Sequence, residues 1–219
     1  MATSGAAAGT RRRPGRVALM RTAVGLMAEH GYDGTSTRDI AAAAGVTVAA
    51  LYYHFPSKLD LLREFLQEAH EVVALRLARA VHGAADRSAR ERLDVAVATL
   101  VWSNAHDAWA RHASQVAWRE HGRLDRRDQL AIGQTIAEML AAVEEIVADG
   151  VRAGEFHTDE PNEVARAIVR LCSTVVDPFP EPSRGSGSSR RRWTAARVDD
   201  LIGQQQRFAA ALADTPPRG

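Results

Sequence analysis

The stretch that decides the fold runs from Thr37 to Phe55 and reads Thr37-Arg38-Asp39-Ile40-Ala41-Ala42-Ala43-Ala44-Gly45-Val46-Thr47-Val48-Ala49-Ala50-Leu51-Tyr52-Tyr53-His54-Phe55. Ser36 precedes it, and Asp39 stands three residues further on. This capping-box pattern starts a helix, which Ile40 to Ala44 complete. Gly45 breaks it, taking unusual backbone angles at low cost. Thr47 caps a second short helix that ends near Phe55. Small alanines at 41–44 let two helices cross closely. Ile40, Val46, Leu51 and Phe55 form the side that pins both helices to a third. A short helix, a glycine turn and a second short helix make a helix-turn-helix.

Working outward, Arg16 to His30 reads as the third helix, with Val17, Met20, Val24 and Met27 on one face. Gly31 stops it. On the other side, Ser57 caps a helix whose buried face carries Leu59, Leu62, Phe65, Leu66 and Ala69, and the helical pattern continues to Val81. Beyond a break at Gly83 to Ser88, Leu93, Val97, Leu100 and Val101 open a helix that carries Trp102 and Trp109. Another runs from about Ala113 to Glu120. Leu130 to Gly150 forms a strong helix, and Pro161 suits the first turn of the next, which carries Val164, Ile168, Leu171 and Val175. Pro178 to Ser189 is too rich in Pro, Gly and Ser to pack and reads as a flexible loop, extended by Arg190 to Arg192. A last helix spans about Thr194 to Ala213. The reading is all-α.

Composition narrows the class. The chain has 219 residues, 46% of them hydrophobic, which is enough for a core without staples. The one cysteine, Cys172, excludes an internal disulfide and fits a reducing cytoplasm. No apolar run has the length of a membrane span, and no signal peptide is evident, so a cytoplasmic protein without a membrane partner is expected. Residues 1–58 hold seven basic and three acidic side chains, a net +4 that leaves −3 for the rest of the +1 chain. A basic end on a mildly acidic body suggests an anionic partner. The sequence contains no Gly-rich phosphate loop, no HExxH and no Gly-x-Ser-x-Gly. His106 and His112 are six apart and do not share a helical face as a metal pair. No catalytic residue, metal or cofactor is expected.

The apolar side of the motif leaves Thr47, Val48, Tyr52, Tyr53 and His54 pointing outward. Tyr53 and His54 also suit packing, and Phe55 suits the core. Residues 16–65 resemble the DNA-binding domain of the TetR family of regulators. The resemblance is carried by Leu51-Tyr52-Tyr53-His54-Phe55-Pro56-Ser57-Lys58 followed by Leu61, by Gly31, and by the Thr35-Ser36-Thr37 entry to the second helix. It implies DNA contacts from Thr37, Thr47, Tyr52, Tyr53, His54 and Lys58, with Arg38, Val48 and Ala49 at the same surface. Hydroxyls, amides at helix N-termini and Lys58 suit phosphate oxygens. Val46 to Phe55 contains no Arg, Lys, Asn or Gln, so bidentate readout of purines is absent there. Arg38 or the Arg11–Arg13 arm supplies specificity instead, unless that arm is a solvated tail.

The resemblance further implies a C-terminal helical domain that dimerises and holds a small hydrophobic effector. Trp102, His106, Trp109, Trp118, Met139 and Phe156 suit an apolar pocket, and the large ones equally suit ordinary core. Trp118-Arg119-Glu120, Gly150 to Phe156 and Cys172 are similar to regulators of lipid or sterol catabolism that respond to acyl-CoA thioesters. Arg119 and Arg123 would then meet phosphates. Another class of hydrophobic effector fits as well. The expected organisation is a basic arm at 1–12, a helix-turn-helix domain at 13–60, and a ligand-binding and dimerisation domain at 61–214 with a loop at 178–192. The last two helices suit pairing with a second copy. The expected function is that of a repressor released from double-stranded operator DNA by its effector, with the long helix after Ser57 as the lever. An activator of the same fold would read identically.

Overall fold

The structure is a computed structural model that describes residues 15–174 and 194–214. The expected arm at 1–12 and the loop at 178–192 lie outside the described residues. Within them the helices are α1 (Arg16–His30), α2 (Thr37–Ala44), α3 (Val48–His54), α4 (Lys58–His82), α5 (Ala89–His106), α6 (Ala108–Glu120), α7 (Arg126–Arg152), α8 (Pro161–Ser173) and α9 (Ala195–Ala213). A 3-10 turn at His121–Arg123 separates α6 from α7. The described residues are all-α and form two compact units that divide between Leu62 and Arg63. No helix among them is long and apolar enough to cross a membrane.

In the first unit, α1 buries Leu19, Met20, Ala23, Val24 and Met27, and α2 and α3 bury Ile40, Ala41 and Leu51. Phe55, Leu61 and Leu62 complete the core. Each large apolar side chain removed from water stabilises the fold by about 1.5–3 kcal/mol. Val17, expected on the buried face, is 47% exposed. The buried face takes in Leu19 and Ala23 beside Met20, Val24 and Met27, and Val17 lies past its edge in the first turn. Likewise only Ala41 of the 41–44 run is fully buried, and Ala42 and Ala43 face outward.

Local signals set the boundaries. The Ser36 hydroxyl accepts from the Asp39 amide at 3.1 Å, while the Ser36 amide donates to the Asp39 carboxylate at 2.9 Å. The Ser36 hydroxyl, which donates to the Asp39 carboxylate at 2.5 Å, and then the Ser36 amide hold the Asp39 carboxyl below its usual pKa. Gly45 caps α2 in the left-handed region at φ 69°, and its amide reaches the carbonyls of Ala41 and Ala42. Thr47 Oγ1 accepts from the Ala50 amide at 3.1 Å to start α3. Ser57 Oγ accepts from the Asp60 amide at 3.0 Å at the start of α4.

In the second unit, α5 packs against α7, α8 and α9. The core joins Leu93, Val97 and Leu100 of α5 to Val143, Ile146 and Val147 of α7, Ile168 and Cys172 of α8, and Ala209 of α9. Burial pushes the Cys172 thiol up to about 12, which leaves it protonated and unreactive. The Glu155 carboxylate caps α5 from a distance, accepting from the amides of Ala89 at 3.1 Å and Arg90 at 3.0 Å. Trp109, expected on the same helix as Trp102, belongs to α6. Asp107 causes the break: its amide closes α5 on the Ser103 carbonyl, and its carboxylate accepts from the Trp109 amide at 3.0 Å to open α6. Arg76 pairs with the other carboxylate oxygen at 2.9 Å.

Candidate nucleic-acid interface

The helix-turn-helix exposes one face of α3 and the start of α2. Tyr53 is 86% exposed and Tyr52 47%, while Leu51 and Phe55 on either side are buried. Tyr53 is therefore a surface residue and Phe55 a core one. Thr47 and Ala49 are exposed, and Val48 and His54 are half-buried. The His54 ring meets Tyr53 edge-on at 5.3 Å, and the Arg16 guanidinium lies over the Phe55 ring at 4.7 Å. At the entry to α2, Arg38 is exposed and Thr37 half-buried. Such a face offers phenolic hydroxyls, small apolar groups and one guanidinium. These bind phosphate oxygens and thymine methyls, and only Arg38 has the fork that reads guanine.

Lys58 departs from the expectation. Its ammonium points into the unit, donating to the carbonyls of Tyr32 at 2.8 Å and Thr35 at 2.9 Å. It stands 3.9 Å from the centre of the Tyr32 ring. Tyr32 carries no motif signal, and nothing in the linear pattern marks it as a partner.

The eight expected effector residues do not gather in one cavity. Trp102 is 46% exposed and stacks on the exposed His106 at 4.8 Å. Trp109 is buried edge-on against Phe65 at 4.6 Å. Phe156 is buried against Gly150 so closely that a Cβ there would fall 2.1 Å from its ring. Arg119 is exposed, and Arg123 is paired with Glu120. The side chain of Trp118 lies outside the described residues. Among the seven with described side chains, Met139 alone lines a groove of about 480 Å³ between α4 and α7, with Glu71, Ala74, Leu75, Ala78, Thr135 and Glu138. These are ordinary helix-surface residues whose convergence needs the fold. Near it on α4, His70 Nδ1 lies 2.6 Å from the Leu66 carbonyl, which fixes the proton on that nitrogen. Burial pushes its pKa below the ordinary histidine range, with His121 adding to the shift. His112 is lowered as well, by burial and then by Arg111.

A capped helix-turn-helix with an exposed aromatic second helix, attached to a larger helical body, defines a DNA-binding transcription regulator. Residues 19–65 match the family described as bacterial regulatory proteins, tetR family, and residues 121–192 match the tetracyclin repressor-like C-terminal domain. The chain belongs to the tetR family. It is 24% identical over 164 residues to the nucleoid occlusion factor SlmA of Enterobacter sp., covering 74% of this chain and 80% of that one. Over 52 residues it is 44% identical to the HTH-type transcriptional repressor KstR2 of Rhodococcus jostii, covering 24% of this chain and 26% of the relative. Its fold matches AibR, solved in complex with isovaleryl coenzyme A and operator DNA, with a TM-score of 0.70 at 19% identity over 92% of this chain and 98% of the other.

Proposed function

We propose that this regulator is a repressor that binds double-stranded operator DNA as a homodimer and is released by a small hydrophobic effector. The observation that carries the DNA half is Tyr53, 86% exposed beside Tyr52 on a helix whose opposite face is core. Thr37, Arg38, Thr47, Val48, Ala49, Tyr52, Tyr53 and His54 form the DNA surface. A two-fold pair presents two copies of α3 about 34 Å apart, or a multiple of that, on one side of the duplex. The exposed Phe208 of α9 and the amphipathic α8 support pairing through these last two helices. The named repressor KstR2 among the relatives supports the direction of control.

The groove between α4 and α7 is the effector site of this reading. Its volume falls within the range of small-molecule sites. The helix α4 places its first residues in one unit and the rest in the other, so the units share an unbroken element. An effector that prefers the DNA-free state by a few kcal/mol then shifts the population off the operator. AibR, with its bound thioester, supports acyl-CoA as one candidate class.

The experiment is a thermal-shift screen of the full chain against acyl-CoA thioesters and neutral apolar molecules. Hits are then tested for release of a duplex selected from random-sequence DNA. A ligand at 100 times its Kd raises stability by about 2.7 kcal/mol, and the same ligand is expected to weaken DNA binding. Equal affinity for the duplex with and without every hit would reject effector-controlled release.

A further inference from the structure

Lys58 is the chain's one lysine among 28 basic residues. It opens α4, where a cation faces the positive end of the helix dipole and is disfavoured. What offsets that cost is local. The ammonium donates to the Tyr32 carbonyl at 2.8 Å and the Thr35 carbonyl at 2.9 Å, over the Tyr32 ring. Both carbonyls belong to the turn between Gly31, which ends α1, and Ser36, which caps α2. The same turn is closed by the Thr35 amide on the Tyr32 carbonyl at 3.2 Å and by the Thr35 hydroxyl on the Gly31 carbonyl at 2.8 Å. A compact ammonium with rotatable donors converges on two carbonyls beneath a ring. A planar guanidinium, the chain's choice everywhere else, does not.

We propose that Lys58 is a positioning residue for operator binding. It holds the 32–35 turn, fixes the first turn of α2 and thereby sets α3, and it makes no phosphate contact of its own. The proposal rests on the DNA-binding reading above.

The test uses the full chain and a duplex selected from random-sequence DNA, with affinity followed over a range of potassium chloride. Each phosphate contact contributes about 0.9 to the slope of log K against log salt. The variant Lys58→Met is expected to bind at least about tenfold more weakly, the scale of a lost hydrogen bond from a charged donor, with the slope unchanged. Lys58→Arg keeps the charge and is expected to lose affinity as well. Tyr32→Leu, which removes no charge, is expected to weaken binding too, and the two losses should not add in the double variant. A slope smaller by about 0.9 in Lys58→Met, with binding restored by Lys58→Arg, would overturn the proposal. So would wild-type affinity in Lys58→Met. Thermal unfolding of each variant separates positioning from a general loss of stability: affinity lost by a variant that stays folded at the titration temperature supports the clamp, and a loss that tracks the unfolded fraction overturns it.

A measurement on the unaltered chain covers the case in which Lys58→Met does not fold. Labelling with 15N-lysine gives one side-chain ammonium signal. A slowly exchanging signal that stays in place when the duplex is added supports the clamp. A signal that moves and couples to phosphorus refutes it. If the unaltered chain retains no duplex at all, the DNA-binding reading fails and this proposal with it. If it binds and the variants behave as phosphate contacts do, only the proposal fails.

Discussion

Tyr53 shows what a single residue states about function. A tyrosine left 86% exposed beside a buried leucine and phenylalanine adds little to folding, since its apolar area stays in water. Tyr53→Ala is accordingly expected to leave the thermal midpoint within the scatter of surface changes, about 0.5 kcal/mol. It should cost about 1.5–3 kcal/mol of operator affinity, the scale of a hydrogen bond to a charged phosphate oxygen, measured by titration of the selected duplex. Unchanged affinity would remove Tyr53 from the DNA surface. The outward set at 47–54 could be separated from Leu51 and Phe55 by periodicity alone, because one face of a short helix must be apolar. The true setting of Lys58 could not. Its partners are two carbonyls and a ring more than twenty residues away, and a motif reports only that a cation stands there.

At the scale of the element, the helix starts at Ser36, Thr47 and Ser57 were legible because a capping side chain bonds an amide two or three residues on. The division of α5 from α6 was not. No Gly or Pro lies between Ser103 and Ala110, and Asp107 breaks the helix through bonds to its neighbours. Phe156 was left open between pocket and core for a related reason: a large aromatic near a turn suits either, and its burial against Gly150 appears only in the fold. That contact is testable. Gly150→Ala places a methyl 2.1 Å from a buried ring, and overpacking of this kind costs about 1–3 kcal/mol. Thermal or urea unfolding should show the loss. A variant as stable as the parent would mean that Phe156 has room to move.

For the molecule as a whole, the all-α class followed from helical periodicity repeated along the chain. The groove between α4 and α7 did not, since it is built from alanines, leucines and glutamates that resemble any helix surface. The helical body also carries a pH dependence. The folded pKa values of His70 and His112 lie below the ordinary value of 6.5, so the unfolded chain binds protons first. Stability is then full above about pH 6.5 and falls as the pH drops toward the folded values. We expect the melting temperature to decline across that window, and His70→Gln to flatten the decline. An equal decline in His70→Gln would assign the effect to other groups.

The second helix of the motif presents phenols and small apolar groups where many readers carry Arg or Asn. Each bidentate bond to a base is worth about 1–3 kcal/mol of discrimination, so under the proposed function a reader whose described fork is Arg38 alone separates good sites from poor ones by narrower margins. Sites then fill in a graded series as the number of molecules in the cell rises. The amount of this protein, and not its presence alone, would decide how many promoters it governs.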